Sequence, residues 1–213
     1  MTCLTPTSGA RSGHAGGVTL EPLDVPPALP LAGRLLVAAP VLTEPHFART
    51  VVLLLDHDEE GTVGLVLNRP SHVPVGTVLP AWDGRSTGPD VLWTGGPVAD
   101  DSALGLGLLP GPDDGPEPEG FRRVAGQFGL VDLDVDPDTA LAPLTALRIY
   151  AGYAGWGARQ LDDELAEGAW YVVDGGPDDV FIDDDVDLWQ RVLRRQPGDL
   201  AFVATPSTDP TLN

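Results

Sequence analysis

Residues 50–70, "TVVLLLDHDEEGTVGLVLNRP", constrain the fold more than any other stretch. Two β-branched and leucine-rich runs flank the polar segment "DHDEEG", where Gly61 supplies a turn residue, so the stretch reads as a β-hairpin. Both runs are too apolar to leave one face in water. Other elements must therefore cover the hairpin on both sides. "RLLVAAP", bounded by Pro40, reads as another buried strand. "VLWTGGPV" is a short strand ending in a Gly95-Gly96-Pro97 break, and "ALGLGLLP" a strand loosened by Gly105 and Gly107. "FGLVDLDV", "ALRIYAGYAG" and "WYVVD" add further strand signals.

Helical patterns are fewer. One helical turn is expected from Asp136 to about Leu144. "DVDLWQRVLRRQ" reads as a helix with Leu188, Trp189, Val192 and Leu193 on one buried face. With 26 Gly and 22 Pro in 213 residues, many turns and loops are expected and a helix-only fold is not. The expectation is an α+β protein, an α/β sandwich: a single domain over 31–205 with a mixed, largely antiparallel sheet flanked by helices. Residues 1–30 read as a disordered Pro/Gly-rich lead-in, 206–213 as a tail, and 111–120 as a mobile acidic loop.

The stretch "YAGYAGWGARQLDDELAE", residues 150–167, reads as a glycine loop entering an acidic helix. Free N–H groups at a helix entrance attract anions, and Gly152, Gly155 and Gly157 would let a ligand approach the backbone. Against this, Ala158, Leu161 and Leu165 form the inner face of an ordinary amphipathic helix. Tyr153 and Trp156 either stack a planar ligand or cover the core.

Charge narrows the partners. The chain carries 32 acidic residues against 12 basic ones, all arginine, for a formal charge of -20. Such a surface repels phosphate backbones and anionic lipid heads, so direct nucleic-acid contact and membrane binding are not expected. The one dense basic cluster, Arg191, Arg194 and Arg195, ends a helix that begins among Asp183, Asp184, Asp185 and Asp187, which fits a charge-matched helix. The single cysteine, Cys3, lies in the lead-in and offers neither a disulfide nor a thiolate metal site. No run has the length of a membrane span or a secretory signal, and the cytoplasm is the simplest address.

No nucleophile elbow, Walker loop or Ser-x-x-Lys motif is present. "DLDVDPDT" spaces four aspartates like the start of a calcium loop, but Pro137 and Pro143 occupy the positions that need Gly and Glu. A strand with a wet face leading into an Asp-capped helix explains it better. His46, His57 and His72 show no metal-ligand spacing, so neither a metal nor a cofactor is expected. His57, among Asp56, Asp58, Glu59 and Glu60, is either a solvated loop residue or a proton shuttle. Pro70 fixes the direction of Arg69, which with Asn68 either binds a carboxylate or carbonyl group or ties down a turn.

Taken in order, "LLVAAP", "FARTVVLLLDHDEEGTVGLVLNRP", "GGPV" and "GYAGWGARQLDDELAEGAWYVV" resemble the YqgE/AlgH family across about residues 31–205. The resemblance implies an α/β sandwich and a family without established enzymatic activity. One branch is labelled a transcriptional regulator on genetic grounds, which does not entail DNA contact. The resemblance further implies a shallow shared cleft framed by Asn68, Arg69, Pro70, Gly95, Gly96, Pro97, Gly152, Tyr153, Gly155, Trp156, Gln160 and Leu161. The expected role is a non-enzymatic regulatory or binding module with a protein or small-molecule partner. The alternative is an enzyme that holds an anionic substrate on Arg69 and Asn68, with His57 or a nearby carboxylate as base.

Overall fold

The computed structural model describes residues 31–111, 116–181, 187–198 and 200–203. The lead-in with Cys3, the tail, the middle of the 111–120 loop and Asp183–Asp185 lie outside the described residues. The strands are β1 (Leu35–Ala38), β2 (Val51–His57), β3 (Gly61–Val66), β4 (Pro70–Pro74) and β5 (Val91–Thr94), then β6 (Val98–Leu108), β7 (Phe121–Ala125), β8 (Phe128–Val131), β9 (Ala146–Gly157) and β10 (Trp170–Val173). The helices are all short: α1 (Val75–Val78), α2 (Pro137–Leu141), α3 (Gln160–Ala166), α4 (Pro177–Val180), α5 (Leu188–Arg194) and α6 (Leu200–Val203). One strand-dominated sheet organises the single domain, in the order β10-β1-β2-β3-β9-β6-β8-β7, with β5 joining β9 and β4 joining β5. All pairs are antiparallel except β5 with β9.

The expected hairpin is β2–β3, and it is buried on both faces. Side chains alternate along a strand. Leu35, Val37, Val51, Leu53 and Leu65 accordingly enter one core with Trp93, Tyr150 and the Leu188, Trp189, Val192 and Leu193 face of α5. Leu36, Ala38, Val52, Leu54 and Val66 enter a second core with Trp156, Leu161 and Trp170. The helical face read from the sequence is therefore the cover that the hairpin requires. A third cluster joins Val75, Trp82, Leu92, Phe121, Val131, Leu147 and Ile149 beneath the β4–α1 segment.

Strand β9 ties these cores together. Its first half pairs with β6 on one side and with β5 on the other, through Trp93 opposite Tyr150 and Thr94 opposite Ala151. Its second half, Ala154–Gly157, pairs with β3. Gly152, at φ 67°, stands where the pairing changes hands.

The glycine loop expected at residues 150–157 is therefore strand. The close approach that glycine permits is taken here by neighbouring backbone and not by a ligand: a Cβ on Gly152 would lie 2.7 Å from the Gly96 carbonyl oxygen. Helix α3 follows a tight turn in which Arg159 takes the left-handed conformation, φ 61°. At its entrance the Gln160 side-chain oxygen accepts from Gly157 N–H at 3.1 Å, and no side chain caps the first turn. The expected inner face is also trimmed: Leu161 is buried and Leu165 packs against the second core, but Ala158 is exposed.

Other boundaries moved for identifiable reasons. Helix α2 has the expected Asp136 cap, whose carboxylate accepts from Asp138 N–H and Thr139 N–H, but it ends at Leu141, just ahead of Pro143. No wet strand leads into it, because β8 ends at Val131 and Asp132 folds back on Asp134 N–H in a turn. Strands β4 and β7 and helices α1, α4 and α6 gave no periodic signal, being only four or five residues long.

Candidate functional site

The "NRP" motif leaves β3 and turns the chain towards β4. Asn68 is bound to backbone on both sides of its amide: its Oδ1 accepts from Val51 N–H at 3.1 Å and its Nδ2 donates to the Arg49 carbonyl at 2.9 Å. It thus continues the β2–β3 ladder by one step. Arg69 is half-buried, and its guanidinium donates to the Ala48 carbonyl at 2.6 Å and to the Asn68 carbonyl at 3.4 Å. It makes no ion pair among the described residues, whereas Arg34, Arg49, Arg85 and Arg195 each meet an aspartate.

Pro70 then opens β4, and Thr94 N–H donates to the Arg69 carbonyl at 2.8 Å. This bond draws the end of β5 against the motif. The result is a cleft of about 230 Å³ lined by Pro45, His46, Val66, Arg69, Pro70, Thr94 and Gly96.

Gly95 and Gly96 hold that corner together. A Cβ on Gly95 would lie 2.2 Å from the Gly152 carbonyl oxygen, and one on Gly96 would lie 2.2 Å from the Tyr153 carbonyl carbon. No side chain fits at either position, so these glycines serve the crossing of β9 by the β5–β6 corner. Pro97 is exposed and does not line the cleft.

The "GYAGW" motif faces elsewhere. Tyr153, Gly155 and Trp156 line a separate groove of about 380 Å³ with Val63, Val98 and the hairpin acids Asp56, Asp58 and Glu60. Trp156 is 5% exposed and belongs to an aromatic cluster, stacked on Phe47 at 5.9 Å and edge-on to Trp170 at 5.8 Å. Its indole N–H and that of Trp170 both donate to one carboxylate oxygen of Glu164, at 2.9 and 2.7 Å. Gln160 donates to the other oxygen, at 2.9 Å, and Leu161 is buried. Glu164 is the clamp that seats α3. The expected single cleft is thus divided: Arg69, Pro70 and Gly96 share one cavity, Tyr153, Gly155 and Trp156 border another, and Asn68, Gly95, Gly152, Gln160 and Leu161 are engaged in the fold.

His57 stands at the far end of β2 from Val51, to which Asn68 is tied. Six residue steps along a strand separate them by about 20 Å. His57 cannot act on a group held by Arg69. Its Nδ1 lies 2.7 Å from the Thr62 hydroxyl, its cross-strand partner. Two arginines of the cluster are engaged within the chain: Arg195 bonds the Asp179 carboxylate and the Asp174 carbonyl, and Arg194 bonds Gln190.

His46, Pro45 and Thr94 were not foreseen as cleft residues. They come from the "EPHFART" connection and the exposed end of β5, and carry no motif. The buried cation Arg148 was also missed, although a lone arginine in the apolar run "ALRIY" was a legible signal. It is fully buried, donates to the Val180 carbonyl at 2.7 Å and stacks 3.8 Å over the Trp93 ring. Burial pushes the neighbouring Tyr150 phenol up to about 12, with the Arg148 charge opposing the shift. Among the described residues, no group of three His, Cys, Asp or Glu side chains could hold a metal ion, and no helix is long and apolar enough to cross a membrane.

The model of the AlgH-like family matches residues 35–201. A UPF0301 protein of Streptomyces coelicolor is 56% identical over 184 residues, covering 86% of this chain and 95% of that protein. A UPF0301 protein of Thermobifida fusca is 47% identical, covering 87% and 96%. Among solved structures, protein DIP2367 from Corynebacterium diphtheriae superposes with a TM-score of 0.79 at 35% identity, over 84% of this chain and 93% of that one. The solution structure of AlgH from Pseudomonas aeruginosa superposes with a TM-score of 0.63 at 27% identity, over 84% and 96%. Motifs, family model and structural likeness agree, and the chain belongs to the YqgE/AlgH family.

Proposed function

We propose that this protein is a non-enzymatic binding module whose cleft at the β3–β4 and β5–β6 corners docks an anionic group of a regulatory partner, either a protein or a small molecule. One observation carries the reading. In a chain of 32 acidic and 12 basic residues, Arg69 lines a cavity with its guanidinium oriented by two backbone carbonyls and, among the described residues, no carboxylate paired with it. An arginine held this way keeps donors for a ligand and meets it without first leaving a competing ion pair. The acidic surface disfavours a nucleic acid as that ligand.

The test is recovery of partners from the native host with the parent chain, Arg69→Gln and the cleft-filling Thr94→Trp. Partners and metabolites retained by the parent should be lost with both variants. Retention of the full set by both would sink the reading. A catalytic reading has one observation in its favour, since His46 shares the cleft with Arg69. It requires turnover of a small anionic substrate that His46→Gln abolishes.

A further inference from the structure

We infer that the group taken by the Arg69 cleft is a carboxylate, bound by the guanidinium fork with the adjoining carbon between Pro45 and Pro70; the inference rests on the reading of this cavity as a binding site. A guanidinium has five N–H donors in one plane. Two hydrogen bonds, to the Ala48 and Asn68 carbonyls, fix that plane and leave three donors. Two parallel N–H groups match the two oxygens of a carboxylate, and a fork oriented in advance loses little freedom on binding.

The rest of the lining selects against larger or more highly charged anions. Val66, Pro45, Pro70 and Gly96 are apolar, Thr94 contributes one hydroxyl, and His46 stands exposed at the rim. One permanent cation balances one negative charge. The second charge of a phosphate dianion would enter a molecule of formal charge -20 with no second arginine among the described lining residues to meet it. At about 230 Å³ the cavity is smaller than the roughly 300–1,000 Å³ typical of drug-sized ligands. It suits a carboxylate and a few carbons. Two sources present that chemistry: a free monocarboxylate and the C-terminal end of a peptide.

The experiment is an NMR titration of the full ¹⁵N-labelled chain, following the amides of His46, Thr94 and Gly96. The probes are sodium propionate, methylphosphonate, and the tripeptide acetyl-Val-Ala-Val with a free or an amidated end. Propionate should shift these amides saturably, with a dissociation constant of roughly millimolar or tighter. Arg69→Gln should weaken it at least about tenfold, the loss of one bidentate charged contact. Arg69→Lys, which keeps the charge and loses the fork, should fall between the two while melting like the parent.

Tighter binding of the free-acid peptide than of propionate, with none of the amide, would assign the chain end as the source. Propionate binding tighter than the peptide would assign a free monocarboxylate. Shifts with methylphosphonate and not with propionate would overturn the carboxylate while leaving the cleft a binding site. Silence of these amides towards propionate and the free-acid peptide, or an Arg69→Lys affinity equal to that of the parent, would overturn the inference too. The wider reading stands or falls separately, on the partner recovery with Thr94→Trp.

Discussion

The "NRP" turn and the "GYAGWG" strand are both short motifs that carry the family resemblance, yet the fold uses them in opposite ways. The first leaves a guanidinium half-buried at a cavity, anchored by backbone and, among the described residues, without a carboxylate. The second places its tryptophan inside an aromatic cluster, its N–H on Glu164, and its Gly152 against the backbone of β5–β6. The difference lies in what each side chain already has. A group whose hydrogen bonds and van der Waals neighbours are complete has nothing left for a ligand.

This contrast can be broken by substitution. If the strand motif is core, Trp156→Ala should cost about 3–5 kcal/mol in chemical denaturation, the range for emptying a buried aromatic site. A loss below about 1 kcal/mol would return Trp156 to the candidate ligand residues.

The first half of the same strand makes a prediction in pH. The folded-state value of the Tyr150 phenol, about 12, lies above its ordinary value of 10.0, so the folded chain keeps the proton that the unfolded chain releases. Stability from this group is complete below pH 10 and is lost as pH rises from about 10 to about 12. The loss is about 2–3 kcal/mol across that window. Denaturant melts of the parent and Tyr150→Phe should show the parent falling more steeply there. Parallel curves would mean that the phenol is not desolvated.

The glycines sharpen the comparison within one motif. Gly96→Ala drives a Cβ into the Tyr153–Ala154 backbone and should lose more than about 2 kcal/mol. At Gly155 the nearest atoms to a Cβ are 3.5 Å away and φ is not positive, so Gly155→Ala should change thermal stability by less than about 0.5 kcal/mol. Equal losses would show that the two glycines serve the same packing. Between these extremes, Asn68→Ala leaves Val51 N–H and the Arg49 carbonyl without their partner and should cost about 1–2 kcal/mol.

Much of the fold could be read in advance because it depends on local pattern. The apolar hairpin, the Leu188–Leu193 face and the Asp136 cap each follow from a few adjacent residues and a period of 2 or 3.6. Gly152, Gly155 and Gly157, expected in a loop and found in β9, show where such reading fails. A glycine that permits close approach and a glycine that breaks a strand are the same letter, and only the partner backbone tells them apart. The site was half legible. Arg69 and Pro70 stand out beside each other, but Pro45, His46 and Thr94 reach them through β2–β3 pairing and the Thr94–Arg69 backbone bond.

By itself the sequence determined the family, the doubly buried hairpin, the strand-rich composition and an acidity that disfavours nucleic acid. These follow from the side chains and their order along the chain, which no later packing can change. The tertiary structure alone decided that Arg69 and Trp156, both drawn from family motifs, part company. Whether a polar or aromatic side chain is available depends on which distant backbone and side-chain atoms have already met it. For Arg69 these are two carbonyls beside an open cavity, and for Trp156 they are Phe47, Trp170 and Glu164 in an aromatic cluster.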